Sequence, residues 1–163
     1  MNLKEIKDYE GLYSIDLNNN QVYGHKHKKY LKPKLHKGYY YIRLCKNSKL
    51  KEFLFHRLVY EVYNGTIPEK MCIDHIDNNK QNNNIENLRL ATLSQNSMNK
   101  KTKKNNLSTG YKNINKTIYN TYKVRIYKNN KKVYDKTFKT LEEAILNRDV
   151  NLVLHHGEYF NLG

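Results

Sequence analysis

The sequence contains no tryptophan, two prolines, seven glycines, and half as many acidic as basic residues, 15 against 30. With 38% hydrophobic residues, we expect several small cores of Tyr, Leu, Val and Ile instead of one deep core. No stretch approaches the roughly 20 apolar residues that cross a membrane, and the first residues carry no apolar signal sequence. These absences predict an intracellular protein without a membrane partner.

Cysteine is also scarce, and its two positions exclude two kinds of structural site. Cys45 and Cys72 are isolated, with no C-x-x-C pairing. Neither a structural zinc site nor a disulfide framework is therefore indicated. We expect both residues to be reduced, half-buried thiols.

The net charge of +15 is spread along the whole chain. Residues 1–69 carry +6, residues 70–107 carry +4 and residues 108–163 carry +5. A chain that is basic throughout is suited to lie on a polyanion, where it releases counterions at many phosphates. The alternative is a solvated cationic surface that has no partner.

The first half of the chain has the pattern of short strands around one helix. Hairpins are predicted over 13–23 and 39–54, where apolar residues flank polar turns. Residues 55–64 have the apolar spacing of one helical face, and Gly65 follows as a stop. The apolar runs at 70–76 and 88–93 predict a further hairpin, joined by an Asn-rich loop. Ser94 is the expected N-cap of a short helix after it.

The last third of the chain has the pattern of a second β-rich module. Thr140 and Glu143 form a capping-box pattern, and an apolar stripe predicts a helix that ends near Gly157. The strands before this helix are predicted over 109–116, 121–128 and 131–138.

Asp74 and His75 are the residues with the clearest chemical potential. The carboxylate of Asp74 and the carbonyl oxygen of Asn96 are hard ligands that suit Mg²⁺, with water and substrate phosphate in its remaining positions. A neutral histidine is a suitable base near pH 7. These groups can deprotonate a water, neutralise a phosphate and stabilise a leaving oxygen. The alternative for an isolated Asp-His pair is a satisfied surface pair.

The stretch from His56 to Asn96 resembles the HNH nuclease family, whose fold is the ββα-metal finger. The motif that carries the resemblance is DHIDNN, followed by NNNIENLR and by an Asn seven residues past that Arg. The segments EIKDYEGLYSIDLNNNQVYG and KGYYYIRL resemble the small N-terminal module that precedes phage and intron HNH homing endonucleases. The motif is far more restrictive than an Asp-His pair alone.

The resemblance implies a role for each residue of the motif. Asp74 and Asn96 would hold one Mg²⁺ or Mn²⁺ ion per active site, and His75 would activate water. Asn87 would brace the loop and orient the histidine, whereas His56 would be structural. Phosphate contacts are expected from Lys80 and Arg89, with an ion pair between Arg89 and Glu86 as the alternative.

The C-terminal module resembles the ethylene-response-factor type of plant DNA-binding domain, which is also attached to phage and viral HNH endonucleases. The matching segments are TGYKNI, YKVRIY, KTFKTLEEA and HHGEYFNLG. In that family the sheet enters the major groove, which implies DNA contacts by Lys112, Lys116, Lys123, Arg125, Tyr127 and Lys132. The family is rich in Arg and Trp on this sheet. Here Arg125 stands among Lys and Tyr, which leaves little basis for bidentate readout of guanine.

These interpretations combine into an α+β chain with a ββα-metal (His-Me finger) nuclease core. The predicted boundaries are 1–52 for a β-rich module, 53–99 for the nuclease core, 100–108 for a basic linker and 109–163 for a three-stranded antiparallel sheet plus helix. In the linker, Lys101, Lys103 and Lys104 are expected to follow a DNA backbone.

The predicted function is a metal-dependent endonuclease that nicks double-stranded DNA inside the host cell. One active site per chain favours a monomer, with a dimer as the alternative. Two other functions stay open at this point. One is a DNA-binding regulator that has lost cleavage, and the other is a nuclease that selects branched structures.

Overall fold

A computed structural model describes residues 1–100 and 108–160 of the chain. The predicted DNA contacts Lys101, Lys103 and Lys104 lie outside the described residues. Contacts divide the chain into an N-terminal unit, Met1–Ala91, and a C-terminal unit, Thr92–Gly163.

The N-terminal unit consists of short antiparallel sheets around one helix. A four-stranded sheet has the order β1-β2-β3-β4, a three-stranded sheet has the order β5-β6-β7, and β8 pairs with β9. The bounds are β1 Leu3–Glu5, β2 Tyr13–Asp16, β3 Gln21–Gly24, β4 Lys29–Tyr30, β5 Lys34–His36, β6 Tyr39–Lys46, β7 Lys49–Leu54, α1 Phe55–Asn64, β8 Met71–His75, a 3-10 helix Ile85–Asn87 and β9 Leu88–Thr92.

Asparagine provides the left-handed backbone at the hairpin turns of this glycine-poor chain. Asn20 (φ 51°) joins β2 to β3, and Asn47 (φ 52°) joins β6 to β7. Asparagine adopts this conformation more readily than most other side chains. The carboxylate of Asp16 stabilises the first turn by accepting hydrogen bonds from the Asn18 backbone amide and the Asn19 side chain.

Helix α1 is amphipathic and packs its apolar side into the core of the N-terminal unit. Leu58, Val59 and Val62 are buried on this side. The helix ends at Gly65, whose φ of 86° favours glycine and whose amide donates to the carbonyl of Glu61. The predicted helix over 55–64 and its glycine stop are confirmed.

One hydrophobic cluster runs through the N-terminal unit from its first sheet to β9. It joins Ile15 and Ile42 of the β sheets to Val59 of α1, Ile73 of β8 and Leu88 of β9. The predicted boundary between residues 52 and 53 stays a prediction, but the segments on its two sides share this core.

Helix α2 (Leu93–Asn99) begins directly after β9 and belongs to the C-terminal unit. Its N-cap is Thr92, so the prediction of Ser94 was wrong. The Thr92 side chain accepts from the Gln95 amide, and the Gln95 side chain accepts from the Thr92 amide. This reciprocal capping box satisfies two backbone donors, whereas a cap at Ser94 would shorten the helix.

The rest of the C-terminal unit is an antiparallel sheet in the order β10-β11-β12, followed by a long helix. Its bounds are β10 Ile114–Lys116, β11 Tyr122–Lys128, β12 Lys131–Phe138, α3 Leu141–His156 and a 3-10 helix Gly157–Tyr159. Thr140 and Glu143 form the capping box that starts α3. The unit has its own core, built from Ile114, Val124, Ile126, Ala144 and Leu152.

The cysteines differ from each other in exposure. Cys45 is exposed, so the prediction of a half-buried thiol was wrong there. Side chains alternate between the two faces of β6, and Ile42 and Leu44 take the buried face, so Cys45 lies on the exposed face. Cys72 is half-buried, and its thiol lies 3.2 Å from the carbonyl oxygen of Ala91. Within residues 1–100 and 108–160, no helix is long and apolar enough to cross a membrane.

Candidate active site

Asp74 and His75 occupy the end of strand β8 and are both buried, with 4% and 5% of their surface exposed. The chain turns immediately after them, because the Asn78 amide donates to the carbonyl of His75. The Ile76 amide donates across the hairpin to the carbonyl of Asn87. The strand end is thus fixed by backbone hydrogen bonds on both sides of the loop.

Arg89 on strand β9 pairs with Asp74. Its Nε and Nη2 atoms each lie 2.9 Å from Oδ2 of Asp74. The predicted partner of Arg89 was a phosphate or Glu86, whereas its partner in the structure is Asp74. The pair forms because β8 and β9 are hydrogen-bonded neighbours, and a buried carboxylate needs a counter-charge. Asp74 therefore has its positive partner within the hairpin.

His75 is held by an asparagine that the sequence analysis did not single out. The side-chain oxygen Oδ1 of Asn83 lies 3.1 Å from Nε2 of His75, and Asn83 is itself 5% exposed. An amide oxygen only accepts, so Nε2 is the donor in this contact. In the neutral imidazole this leaves Nδ1 as the nitrogen with the lone pair.

Two other rings pack near His75. The ring centroid of His56 on α1 lies 5.0 Å away, and that of Tyr39 lies 6.2 Å away. Burial, with the positive potential of His75 and Arg57 as smaller causes, lowers the pKa of His56 to about 3. His56 is therefore a neutral ring beside the candidate base at neutral pH.

Asn87 lies at the centre of the loop between β8 and β9. Its Nδ2 donates to Oδ1 of Asp77 at 2.9 Å and to the carbonyl of Asn82 at 2.8 Å, and its Oδ1 accepts from the Asp77 amide at 3.0 Å. Hydrogen bonds from Asn82, Asn79 and Asn87 outweigh burial and lower the pKa of Asp77. These contacts belong to the loop itself, and the contact with the His75 ring comes from Asn83.

The remaining residues of the predicted motif lie on different elements. Lys80 is in the same loop, with its ammonium 4.5 Å from the ring centroid of Tyr39. Asn96 lies on α2, in the C-terminal unit.

The predicted DNA contacts on the C-terminal sheet have different surroundings. Lys123, Arg125 and Lys132 converge on Asp135, with nitrogen–oxygen distances of 3.3, 3.8 and 2.6 Å. Hydrogen bonds from Lys132 and Lys123 lower the pKa of Asp135. Lys116 is exposed and Tyr127 is 50% exposed.

Lys112 differs from the other predicted contacts, because its ammonium is bound by the protein. Its Nζ donates to the carbonyls of Met98 at 2.8 Å and Lys100 at 2.9 Å, at the end of α2. Burial lowers the pKa of Lys112. A DNA contact by this ammonium would require it to leave both carbonyls. The predicted DNA contact of Lys112 stays a prediction.

The donor chemistry around Asp74 suits a hard divalent ion. No group of three or more His, Cys, Asp or Glu side chains could hold a metal in the part of the chain that the structure describes. A closed cage of protein ligands is therefore not formed by these residue types. Mg²⁺ fits such a site, since it is commonly held by one or two carboxylates while water and substrate phosphate complete its shell.

Comparison with known families and proteins bears directly on this hairpin. Residues 53–98 match the family model described as HNH endonuclease. These residues are an HNH endonuclease segment. The predicted resemblance to the HNH nuclease family is confirmed, whereas the predicted bounds 53–99 of the nuclease core stay a prediction. The matched residues contain the buried pair, the loop and α2 as far as Met98.

Relatives extend the similarity beyond the segment. An uncharacterized HNH endonuclease of Acanthamoeba polyphaga mimivirus is 41% identical over 96 residues, covering 58% of this chain and 49% of the relative. The DNA endonuclease I-HmuI of Bacillus phage SP01 is 39% identical over 117 residues, covering 71% of this chain and 63% of the relative. The chain thus spans about half to just under two thirds of these relatives.

A solved structure supports the same relationship at the level of the fold. The HNH homing endonuclease I-HmuI, in a structure that describes its DNA binding and cleavage, matches with a TM-score of 0.55 and 28% identity. The match covers 96% of this chain and 91% of that chain. The mixed α and β fold is therefore shared with an HNH homing endonuclease.

Proposed function

We propose that this protein is a DNA endonuclease that hydrolyses a phosphodiester with His75 as general base and a divalent ion beside Asp74. The observation that carries the proposal is the buried Asp74-His75 pair with Nε2 of His75 bound to Asn83. A surface Asp-His pair would not be buried, nor would its imidazole have a dedicated acceptor. The similarity to a phage DNA endonuclease supports the same reaction.

Each side chain has a separate task in this reaction. Nε2 of His75 donates to Asn83, so Nδ1 is the atom that accepts the proton of the attacking water. Asn87 braces the loop through Asp77 and Asn82, which keeps the end of β8 in register with β9. General-base assistance of this kind contributes about 10²- to 10⁴-fold to a rate.

Asp74 and Asn96 are the side chains that would hold the ion. When bound, Mg²⁺ or Mn²⁺ supplies positive charge to the phosphate and to the departing oxygen. Departure of the 3′ oxygen leaves a 3′-hydroxyl and a 5′-phosphate. Arg89 is bound to the same carboxylate, so ion binding at Asp74 has to share or displace its guanidinium.

Double-stranded DNA is the proposed substrate, and each binding event is proposed to give one nick. The charge of +15 supports a polyanionic partner. The C-terminal sheet is proposed as the DNA-reading surface, in the manner of the ethylene-response-factor type of domain, through Lys116, Lys123, Arg125, Tyr127 and Lys132. One proposed active site per chain favours action as a monomer.

Nicking of supercoiled plasmid DNA tests the proposal. We expect conversion to the open circular form with Mg²⁺ or Mn²⁺ and none with chelator. His75→Ala should lower the nicking rate about 10²- to 10⁴-fold while DNA binding in chelator stays unchanged. His27→Ala, which changes an exposed histidine, is the matched control. DNA binding without nicking under either ion would identify a DNA-binding regulator and reject the enzyme.

A further inference from the structure

The turn between β2 and β3 reaches the loop that holds the candidate base. Nδ2 of Asn20, in this turn, donates to the backbone carbonyl of Asn83 at 2.8 Å. The side chain of Asn83 in turn contacts Nε2 of His75 at 3.1 Å. Two amide side chains therefore connect the first sheet of the protein to the imidazole, across 63 and then 8 positions of sequence.

The turn that carries Asn20 is itself fixed. Asp16 is fully buried and accepts hydrogen bonds from Asn18, Asn19 and the hydroxyl of Tyr30. The hydrogen bond from Tyr30 is the largest cause that lowers the pKa of Asp16. The carboxylate thus stays ionised as an acceptor for the turn at neutral pH.

The side-chain oxygen of Asn83 makes Nε2 of His75 the donor of their contact. The contact presents an amide oxygen to Nε2, and this oxygen can only accept. If the Asn83 backbone moved, the oxygen would leave Nε2, and the ring would lose this contact. The Asn20 hydrogen bond acts on that backbone at its carbonyl oxygen.

We propose that Asn20 and Asn83 are positioning residues that form a relay from the β2–β3 turn to His75, so that the N-terminal β module orients the catalytic base. The proposal rests on the proposed function of His75 as a base. It differs from simple support of the nuclease core, because it assigns one turn residue an effect on the rate of the chemical step.

The relay is tested with variants that remove one contact each. Asn83→Leu removes the acceptor at similar volume, and Asn83→Asp retains an acceptor oxygen. Asn20→Gly removes the donor while tolerating the φ of 51° at this position. Asn47→Gly is the matched control, since Asn47 occupies another hairpin turn at a φ of 52°. Single-turnover nicking of supercoiled plasmid with saturating Mg²⁺ is measured beside DNA binding in chelator.

We expect Asn83→Leu to lower the nicking rate about 10- to 100-fold, as loss of an orienting partner does for other histidines, with DNA affinity unchanged. Asn83→Asp should retain most of the rate. Asn20→Gly should lower it about 2- to 10-fold, the effect of one hydrogen bond. The double variant Asn20→Gly with Asn83→Leu should be no slower than Asn83→Leu alone, because the two residues act in series.

Three outcomes would overturn the relay. The first is an Asn83→Leu variant with the wild-type rate. The second is a double variant whose loss equals the product of the two single losses. The third is an Asn47→Gly variant that loses as much rate as Asn20→Gly. If Asn83→Leu does not fold, the Asn20→Gly and Asn47→Gly pair still decides between a relay and a general turn effect.

A spectroscopic measurement separates failure of the relay from failure of the proposed function. The Nε2–H proton of a buried, hydrogen-bonded His75 should exchange slowly and give an imidazole resonance in the wild type and in Asn47→Gly. This resonance should be lost in Asn83→Leu and exchange faster in Asn20→Gly. If the variants show this pattern of resonances but the wild type does not nick plasmid, the relay is retained and the endonuclease is rejected. If the wild type nicks plasmid but the pattern is absent, only the relay is rejected.

Discussion

Asp74 pairs with Arg89 and is also the proposed ligand of a divalent ion, so two positive partners would compete for one carboxylate. Both donor nitrogens of Arg89 converge on Oδ2, and the pair is buried, with side-chain exposures of 13% and 5%. Breaking a buried pair leaves an uncompensated charge that costs several kcal/mol, about 3–5 in typical proteins. Arg89 therefore stabilises the hairpin in the protein without a bound ion.

Replacement of Arg89 should reveal this competition. Arg89→Gln removes the positive charge at Oδ2, so we expect the Mn²⁺ affinity of the DNA-free protein to rise by about tenfold, the order set by a unit charge a few ångströms away. The stability of the protein should fall. Electron paramagnetic resonance of free Mn²⁺ measures the affinity. Arg43→Gln, which breaks the exposed pair with Glu52, should change neither quantity appreciably. An unchanged Mn²⁺ affinity in Arg89→Gln would show that the ion does not compete with the guanidinium.

His56 should make the protein sensitive to mild acid. Its pKa is about 3 in the folded protein, compared with 6.5 for an exposed histidine, so the unfolded chain binds a proton that the folded chain excludes. Stability is therefore fully present above about pH 6.5 and falls as the pH decreases towards the folded pKa. Between about pH 6.5 and pH 4.5 the loss should reach about 2 kcal/mol.

Urea denaturation at several pH values checks this prediction. His56→Phe should remove most of the slope between pH 6.5 and 4.5, whereas His27→Phe, at an exposed position, should retain it. An equal slope in wild type and His56→Phe would contradict the assignment. The carboxylates of Asp16 and Asp77 also have lowered pKa values, and their stabilisation is lost at more acidic pH.

At the scale of secondary structure, the sequence pattern predicts most elements and few of their partners. Alternating apolar residues around Asn-rich turns predict the hairpins, and glycine marks the end of α1. The sequence pattern does not assign separate roles within the Asn-rich loop, because the four asparagines in 82–87 have the same side chain. Only the folded loop distinguishes Asn83, which contacts His75, from Asn87, which braces the loop. The Arg89–Asp74 pair likewise depends on strand pairing.

The C-terminal end of α2 is held by a side chain from outside the helix. The last carbonyls of a helix have no partner within it, and the ammonium of Lys112 binds those of Met98 and Lys100. Lys112→Met should lower the stability of the C-terminal unit by about 1–3 kcal/mol, the range for hydrogen bonds to a charged group and for unsatisfied acceptors.

Hydrogen exchange is the direct measurement for this helix. Amides of the peptide that spans 93–99 should exchange faster in Lys112→Met, and those of β11 should change less. Lys116→Met is the control, since Lys116 is exposed on the neighbouring strand. Equal exchange of the peptide in the two variants would show that the Lys112 contacts do not stabilise α2.

At the scale of the whole molecule, the positive charge should determine how DNA binding responds to salt. Each phosphate contact releases counterions and contributes about 0.9 to the slope of log K against log salt on duplex DNA. Lys116→Gln should reduce this slope by about 0.9 if Lys116 contacts phosphate. Lys112→Gln should leave the slope unchanged, because its ammonium is bound to α2. Fluorescence anisotropy across a salt series distinguishes the two, and a reversed order would reject our assignment of both lysines.

The sequence pattern predicts a separate β-rich N-terminal segment and nuclease segment, whereas the two share one buried core in the structure. The reason is the size of each segment. The nuclease hairpin contributes few large apolar side chains, and α1 places Leu58 and Val59 against residues of the first sheets. A short segment with so little apolar surface needs additional burial to be stable. The sequence motifs consist of the polar residues of the candidate site, so they do not predict this shared apolar core.

The division of the chain between Ala91 and Thr92 has a consequence for protein engineering. It falls inside the family segment 53–98, before the last residue of the second strand of the hairpin and just ahead of α2. A chimaera that exchanges the chain from residue 108 onwards would separate α2 from Lys112, its partner in the same unit. Grafts with a junction before Thr92 would transfer α2 together with Lys112, and with it the helix that carries Asn96.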